Sequence, residues 1–164
     1  MSPEQKIETD LIKVFPILQG KVRIQRARRI FVDVPAERFA EVFAYLYRRA
    51  GFTILCTITG LDLGKELGVL YHLAQETGIV LTVAIAVPKE APVIQTVSST
   101  FPAADAYERE MVDLLGMQVQ GLPPGNRYPL PDDWPAGQYP LRKDWKKPAD
   151  EKARPADTKE SMNA

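Results

Sequence analysis

The chain has 164 residues, with 21 basic and 21 acidic side chains and a formal net charge of zero. This length suits one domain with a tail, and a neutral chain lacks the basic excess that nucleic-acid-binding proteins show. The longest apolar run, residues 79–88, is about half of the roughly 20 residues that a membrane helix needs, and the polar N-terminus is unlike a signal peptide, so we expect membrane contact only through a partner.

Two helical patterns frame a strand-like stretch in the N-terminal part. Ile7, Leu11 and Val14 share one face of a predicted first helix. Residues 21–35 alternate apolar and polar positions, as in two strands or one long bent strand. The large apolar side chains of residues 39–47 recur at helical spacing, which predicts a second helix.

The middle of the chain predicts a sheet. Residues 52–60 and 67–75 are rich in β-branched and aromatic residues and are joined by a hairpin-like link. Residues 79–88 are predicted to form a central strand that is buried, at least in part, on both sides. Short links favour antiparallel pairing with helices on one face. The predicted fold class is therefore α+β, with two layers and a mostly antiparallel sheet covered by helices.

A third helix is predicted over residues 103–116, after a loop or short helix at residues 92–102. Asp105 and Asp113 each lie four residues from Arg109, so two acid–base pairs are predicted on one helix face. The simplest interpretation of this face is a solvated or interface surface.

The acids of this helix look catalytic when they are read in order. Glu108 and Glu110 are two positions apart and therefore point in different directions on a helix, which excludes a carboxylate dyad. We accordingly expect no catalytic, cofactor-binding or metal-binding residue here.

The composition changes at Gly121. Residues 121–148 contain seven prolines, which exclude regular helix or central strand. The same stretch carries large apolar side chains, which a free linker would lack. We predict an α+β domain over residues 1–120, an extended, proline-rich docking arm over residues 121–148, and a polar, flexible tail over residues 149–164.

Arginine and aromatic side chains are enriched in the energetically dominant parts of protein interfaces. Those of the arm, with the charged residues of the third helix, form the predicted partner interface. The set is Glu108, Arg109, Asp113, Arg127, Trp134, Tyr139, Leu141, Arg142, Lys143, Asp144 and Trp145.

The single cysteine and the single histidine leave little room for chemistry. Closed zinc sites and iron–sulfur clusters need several thiolates or imidazoles. Cys56 is predicted to be a small core residue, and His72 a sheet histidine with a hydrogen-bond partner.

Two rival functions use the remaining features. An independent enzyme would combine His72 with the acids of the third helix. A nucleic-acid-binding module would use the basic residues 21–29 together with the "LRKDW" patch at residues 141–145.

Two ordered motifs carry a family resemblance. "YEREMVDLLG" matches an E-R-E-x-x-D-[LF]-[FL]-G helix end, and "PDDWPAGQYPLRKDW" matches P-x-D-W followed by P-L-R-K-D-[YFW]. Between them, Gly121, Pro123 and Arg127 fit a turn and an arginine-bearing loop. Over residues 35–147 the chain resembles the 30 kDa subunit of respiratory complex I. It resembles equally the corresponding small subunit of membrane-bound, energy-converting nickel–iron hydrogenases.

The resemblance implies a noncatalytic scaffold subunit in the peripheral arm of a membrane-bound, ion-translocating redox complex, on the cytoplasmic side. Such a subunit holds no cofactor and no small-molecule substrate of its own. It packs on the large subunit, which is nickel–iron in hydrogenases and quinone-reducing in complex I, and lies near the small iron–sulfur subunit. The iron–sulfur clusters and any nickel–iron centre are expected in those partners.

The chain departs from the family pattern at three places. Ala106 stands where a tryptophan is usual, Leu122 replaces a histidine, and "GNRYPLP" has one arginine where complex I members usually have two. These differences favour a hydrogenase-type complex, with the 30 kDa subunit of an NADH:quinone oxidoreductase as the alternative.

Overall fold

The computed structural model describes residues 1–147, so the tail predicted for residues 149–164 lies outside the described residues. Within these residues, three α-helices and seven strands follow one another. They are α1 (Pro3–Val14), β1 (Val22–Arg26), β2 (Arg29–Asp33), α2 (Phe39–Arg48), β3 (Ile54–Asp62), β4 (Glu66–Ala74), β5 (Val80–Pro88), β6 (Val93–Gln95), α3 (Ala104–Leu115) and β7 (Gln118–Gln120).

Five strands form the main sheet in the order β1-β2-β5-β4-β3. The pairs β1–β2, β4–β5 and β3–β4 are antiparallel, and β2–β5 is parallel. β5 is therefore the middle strand, as predicted, and residues 21–35 form two strands of a hairpin. The predicted α+β class with a mostly antiparallel sheet is confirmed.

The core lies on the face of the sheet that the helices cover. Leu11 from α1, Leu46 from α2 and Leu115 from α3 are almost completely buried against it. Tyr71 of β4 is fully buried and packs its ring against that of Phe39, with ring centroids 4.6 Å apart. The helices thus form one layer, and the sheet forms the other.

Local chemistry begins and ends two of these helices. Ser2 caps α1 by accepting a hydrogen bond from the Gln5 backbone N–H, while the Gln5 side chain accepts from the Ser2 N–H. α3 ends where Gly116 adopts a left-handed conformation with φ of 69°, which confirms the predicted stop.

Two local predictions are wrong. Cys56 is exposed because the register of β3 shifts between Leu55 and Thr57, which displaces the residue between them from the core alternation. Residues 92–102 contain β6, which pairs in parallel with β7 across the intervening helix, a contact that no local pattern signals.

Candidate docking segment and its anchors

Residues 121–147, called here the C-terminal segment, contain neither helix nor strand. Their density of prolines explains this, since proline removes a backbone donor and blocks helix interiors. The segment folds back on α3 and on the end of β3 through four groups of contacts. Most of the predicted interface charges take part in these contacts.

Arg109 forms the first group of contacts. Its guanidinium donates to Asp105, with Nε–Oδ2 and Nη2–Oδ1 distances of 2.7 and 2.9 Å, which confirms the predicted i,i+4 pair. Nη2 also donates to the Pro123 carbonyl at 2.6 Å. The Cα of Gly125 lies so close that an added Cβ would be 2.5 Å from Nη2. Arg109 thus binds the start of the segment.

Asp113 forms the second group and corrects a prediction. It does not pair with Arg109; it accepts instead from Arg127 Nε at 2.8 Å and from the Leu130 N–H at 3.1 Å. Its side chain is only 8% exposed, and a buried carboxylate needs donors on both oxygens. The segment supplies both, and Arg127 Nη1 also donates to the Trp134 carbonyl at 3.0 Å.

Arg142 forms the third group at the C-terminus of α3. Its Nε donates to the Leu115 carbonyl at 2.7 Å, and the Leu141 N–H donates to the Leu114 carbonyl at 3.1 Å. These donors satisfy carbonyls that a helix end leaves free, and the cation suits the negative end of the helix dipole. The guanidinium carbon also lies 4.6 Å from the centroid of the Tyr139 ring.

Asp62, at the end of β3, forms the fourth group. Its side chain is 2% exposed and accepts from the N–H of Gly64 at 2.7 Å, the N–H of Lys143 at 2.8 Å and Lys89 Nζ at 2.8 Å. Lys89 Nζ also bonds Asp144 Oδ1 at 2.8 Å. The hydrogen bond from Lys89, above all, lowers the pKa of Asp62 to about 2. Asp62 therefore ties the far end of the segment to the sheet.

The two tryptophans lie together within the segment. Trp134 Nε1 donates to the Gln138 carbonyl and Trp145 Nε1 donates to the Gln138 side-chain oxygen, both at 2.8 Å. The two rings are 6.2 Å apart between centroids. Both side chains are half-buried, so this cluster leaves aromatic surface open.

Part of the segment's apolar surface remains exposed. Tyr128 is 52% exposed and Leu141 is 55% exposed. Leu141 also borders a groove of about 280 Å³ between β3 and α3, which Gly60 and Leu114 line as well. Several charged side chains of the segment therefore hold it to its own domain, whereas Tyr128 and Leu141 face outward.

Gly116 provides a test of how the segment sits on α3. A Cβ on this glycine would lie 2.5 Å from the Tyr139 ring, whereas a Cβ on Gly137 would meet nothing within 4 Å, although both glycines have positive φ. We expect Gly116→Ala to lower the free energy of unfolding by about 1–2 kcal/mol for the left-handed conformation, plus a further loss from displacing Tyr139.

Gly137→Ala is the matched control, because its φ of 75° imposes the same backbone strain without the contact. Urea unfolding of both variants measures the difference. Equal losses would show that Tyr139 does not rest on the helix end.

Glu108 lies elsewhere than predicted. It is fully buried, not on a solvated or interface face. Its carboxylate accepts from Thr96 Oγ1 at 2.5 Å and from the Val97 N–H at 2.7 Å. Burial raises its pKa, against these two hydrogen bonds. Glu108 therefore ties α3 to the strand β6 and its following loop inside the domain.

Three residues that hold the C-terminal segment or α3 in place are absent from the predicted interface set. They are Asp62, Lys89 and Thr96. Asp62 carries a local signal, since an aspartate two residues before a glycine favours a turn that its side chain accepts from. Lys89 and Thr96 carry none, because their partners lie 27 and 12 residues away along the chain.

His72 has the predicted hydrogen-bond partner, with Nδ1 2.9 Å from Thr82 Oγ1 on the neighbouring strand. Burial, and secondarily the charge of Arg29, lowers its pKa. Successive residues of a strand point to opposite faces, so His72 points away from the helices, whereas Tyr71 points toward them. His72 and Glu108 thus lie on opposite sides of the sheet and form no common site.

The two basic patches of the rival nucleic-acid hypothesis lie apart. Residues 21–29 belong to the hairpin β1–β2 at one edge of the sheet, while Lys143 is bound to the end of β3 at the other edge. Arg142 is already engaged with the end of α3. The patches therefore do not form one continuous basic track.

Within residues 1–147, no three His, Cys, Asp or Glu side chains cluster closely enough to hold a metal ion. Over the same described range, none of the helices has the length and apolar content to cross a membrane.

The class of this protein is an α+β domain with a proline-rich segment that folds back on its last helix. The chain belongs to the family described as "Respiratory-chain NADH dehydrogenase, 30 Kd subunit", whose model matches residues 32–151. This confirms the resemblance to the 30 kDa subunit of complex I and to the hydrogenase subunit.

Particular relatives come from both branches of this class. The chain is 28% identical to the membrane-bound hydrogenase subunit beta of Pyrococcus furiosus over 143 residues, covering 84% of this chain and 83% of that protein. It is 33% identical to NADH-quinone oxidoreductase subunit 5 of Thermus thermophilus over 160 residues, covering 84% and 74%. A chain in the structure of the membrane-bound sulfane sulfur reductase, an archaeal respiratory membrane complex, is 27% identical with a TM-score of 0.77, covering 88% of this chain and 86% of that one.

Proposed function

We propose that this chain is a noncatalytic scaffold and assembly subunit of a membrane-bound, ion-translocating redox complex. It sits in the peripheral arm on the cytoplasmic side and docks on the large subunit, close to the small iron–sulfur subunit. It binds no cofactor, and the electrons pass through iron–sulfur clusters, and in a hydrogenase through a nickel–iron centre, in those partners. Its relatives, which are subunits of multi-subunit membrane complexes, support this proposal.

The observation that carries the proposal is that charged and apolar side chains of the C-terminal segment have different surroundings. Its charged groups bond to the domain, whereas Tyr128 and Leu141 are each more than half exposed. Large apolar side chains held outward on an ordered segment lose little entropy when they bind. The intramolecular contacts therefore preorganise an apolar docking surface.

In this proposal the predicted interface residues have two roles. Arg109, Asp113, Arg127, Arg142 and Asp144 shape the segment by bonding within the chain. The half-buried Trp134, Tyr139 and Trp145, together with Leu141 and the exposed Lys143, face the large subunit. Glu108 acts only by holding α3 in place.

Among complexes of this class we favour a hydrogenase-type assembly, with the 30 kDa subunit of an NADH:quinone oxidoreductase as the alternative. The preference rests on Ala106, on Leu122 and on the single arginine of "GNRYPLP". The large subunit that purifies with the chain tests it. Two Cys-x-x-Cys pairs in that subunit would indicate a hydrogenase, and their absence would favour the quinone-reducing alternative.

The docking role is tested by substituting the exposed side chains and leaving the anchors intact. We expect the double variant Tyr128→Ser with Leu141→Ser to lose most of the large subunit on purification of the complex. Interface positions of this kind contribute about 1–2 kcal/mol each, so the affinity should fall roughly 30- to 1,000-fold.

Val14→Ser with Ile17→Ser is the matched control, because both residues are 47% exposed; Val14 is the last residue of α1 and Ile17 lies in the turn that follows it. The control should retain the large subunit. Full recovery of the large subunit by the Tyr128 and Leu141 variant would contradict the proposed docking role.

A further inference from the structure

We propose that the face of the five-stranded sheet opposite the helices is a second docking surface, which takes an apolar, acid-rimmed surface of a partner subunit. The inference rests on the proposed function for the existence of that partner. It concerns a surface that shares no residue with the C-terminal segment.

Part of this face is apolar. An antiparallel sheet with one solvated face normally alternates apolar residues inward with polar residues outward. Here the outward positions of the inner strands hold Leu70, Val80 and Ala84, and the strand at one edge adds Ile54 and Leu61, which are 45% and 36% exposed. Leu63, 53% exposed, folds over Gly68 on the same side. His72 and Thr82 use their polar atoms on each other.

The size of the face suits a secondary contact. Five strands spaced about 4.8 Å apart, with lengths of five to nine residues, span an area on the order of 500 Å². A standard interface buries about 800 Å² on each partner. The sheet face alone is therefore smaller than a standard interface, and it would add to the contact of a subunit that is bound at the C-terminal segment as well.

The charge at one border of this face identifies the chemistry of the partner. The outward positions of β1 and β2 at this border hold three basic side chains, Arg23, Arg26 and Arg29, against one acid, Asp33, with which Arg23 forms an exposed ion pair. Arg23 lies 5.9 Å from the centroid of the Phe31 ring on this face, and Arg29 is close enough to lower the pKa of His72. A partner seated on the apolar strands would place its rim against these cations, so that rim is acidic.

A second copy of this chain does not supply that rim. A twofold axis parallel to the strands would place the β1–β2 border of one copy over β3 of the other, and one perpendicular to the strands would place it over the same basic border. The outward residues of β3 are Ile54, Thr57, Thr59 and Leu61, which carry no charge. Arg26 and Arg29 would gain no acidic partner from the other copy, so a different chain is the better occupant.

The first experiment removes the apolar part of the face. We expect Ile54→Ser with Leu61→Ser to lower the amount of partner subunits that purify with the chain at least 10-fold, while Val14→Ser with Ile17→Ser leaves it unchanged. Unchanged recovery for the Ile54 and Leu61 variant would overturn the inference. If circular dichroism shows that this variant is unfolded, the cross-linking experiment tests the inference instead.

The second experiment tests the acidic rim in the intact complex. Arg29→Lys introduces an amine at the border, and a zero-length carbodiimide reagent joins an amine only to a carboxylate in contact with it. We expect a cross-link from position 29 to an acid of a partner subunit, mapped by mass spectrometry. Arg49→Lys, an exposed position on the helix side, is the control and should give no such link.

The outcomes separate this inference from the proposed function. Loss of the large subunit from the Tyr128 and Leu141 variant, with no cross-link at position 29, would leave the docking segment standing and overturn the sheet-face proposal. A cross-link between two copies of this chain would overturn it in favour of self-association. Sedimentation of the isolated chain as a dimer would do the same.

Discussion

Asp62→Ala is expected to release the far end of the C-terminal segment from the domain. The substitution leaves the N–H groups of Gly64 and Lys143 and the ammonium of Lys89 without their shared acceptor, which is 2% exposed. Removing one partner of a buried, hydrogen-bonded ion pair costs about 3 kcal/mol. Trypsin should then cut after Arg142 and Lys143 much faster than in the native chain.

Tryptophan fluorescence can report this release. Its two tryptophans, Trp134 and Trp145, both lie in the segment, so their fluorescence should shift to longer wavelength as the segment loosens. Asp33→Ala is the control, because its ion pair with Arg23 is more than half exposed on both sides and should contribute under about 1 kcal/mol. Cleavage of Asp62→Ala at the native rate would contradict the anchoring role.

The same anchor predicts a dependence on pH. The pKa of Asp62 is lowered to about 2, mainly by the hydrogen bond from Lys89, and a second hydrogen bond from Lys89 lowers the pKa of Asp144. A carboxylate with a lowered pKa contributes stability that is present above its unfolded pKa, about 3.9, and is lost as the pH falls through the folded value. The tryptophan shift should therefore appear between about pH 4 and pH 2 in the native chain, and Asp62→Asn should lack this transition.

Glu108→Ala is expected to have the largest effect on stability of these substitutions. It leaves the buried Val97 N–H without an acceptor, removes one of the two side-chain partners of the Thr96 hydroxyl and opens a cavity in the core. An unsatisfied buried donor costs about 1–3 kcal/mol, and a cavity adds to this loss. Together they should lower the free energy of unfolding by about 3–5 kcal/mol, measured by urea denaturation.

Two variants separate hydrogen bonding from charge at this position. Glu108→Gln keeps an acceptor for Val97 and should stay within about 1 kcal/mol of the native chain at pH 7. Glu110→Ala, two residues away on a different side of the helix, should change stability by less than about 1 kcal/mol. Equal losses for Glu108→Ala and Glu110→Ala would contradict the internal role of Glu108.

The charge of Glu108 has its own pH signature. Burial raises its pKa, so the folded state binds more protons than the unfolded state between the two pKa values. This contribution to stability therefore falls as the pH rises through that window. Glu108→Gln should remove this dependence, which the stabilities of both forms at acidic and neutral pH will show.

Much of the fold was predictable because its signals are local. The spacing of apolar residues marks α2, the alternation in residues 21–35 marks β1 and β2, and Gly116 marks the end of α3. The hydrogen-bond partner of His72 followed from its place in a strand. The exposure of Cys56 did not, because a register shift depends on how two strands pair.

The candidate site was predicted by composition and only partly by geometry. The chain's sequence singled out the proline-rich segment, its aromatic residues and its arginines. The sequence also predicted an ion pair between Arg109 and Asp113, because residues four positions apart on a helix are neighbours. The structure pairs Asp113 with Arg127 instead, since the segment folds over that carboxylate and brings a second cation.

The amino-acid sequence by itself determined the fold class, the family and the absence of a local catalytic motif, because each depends on residue types at short, ordered spacings. Only the tertiary structure decided what the charges do. Asp62 and Lys143 are 81 residues apart in the chain yet share a hydrogen bond, and Glu108 is buried because other elements close around it. Burial and long-range contact depend on how the layers pack, and no local pattern in the sequence encodes them.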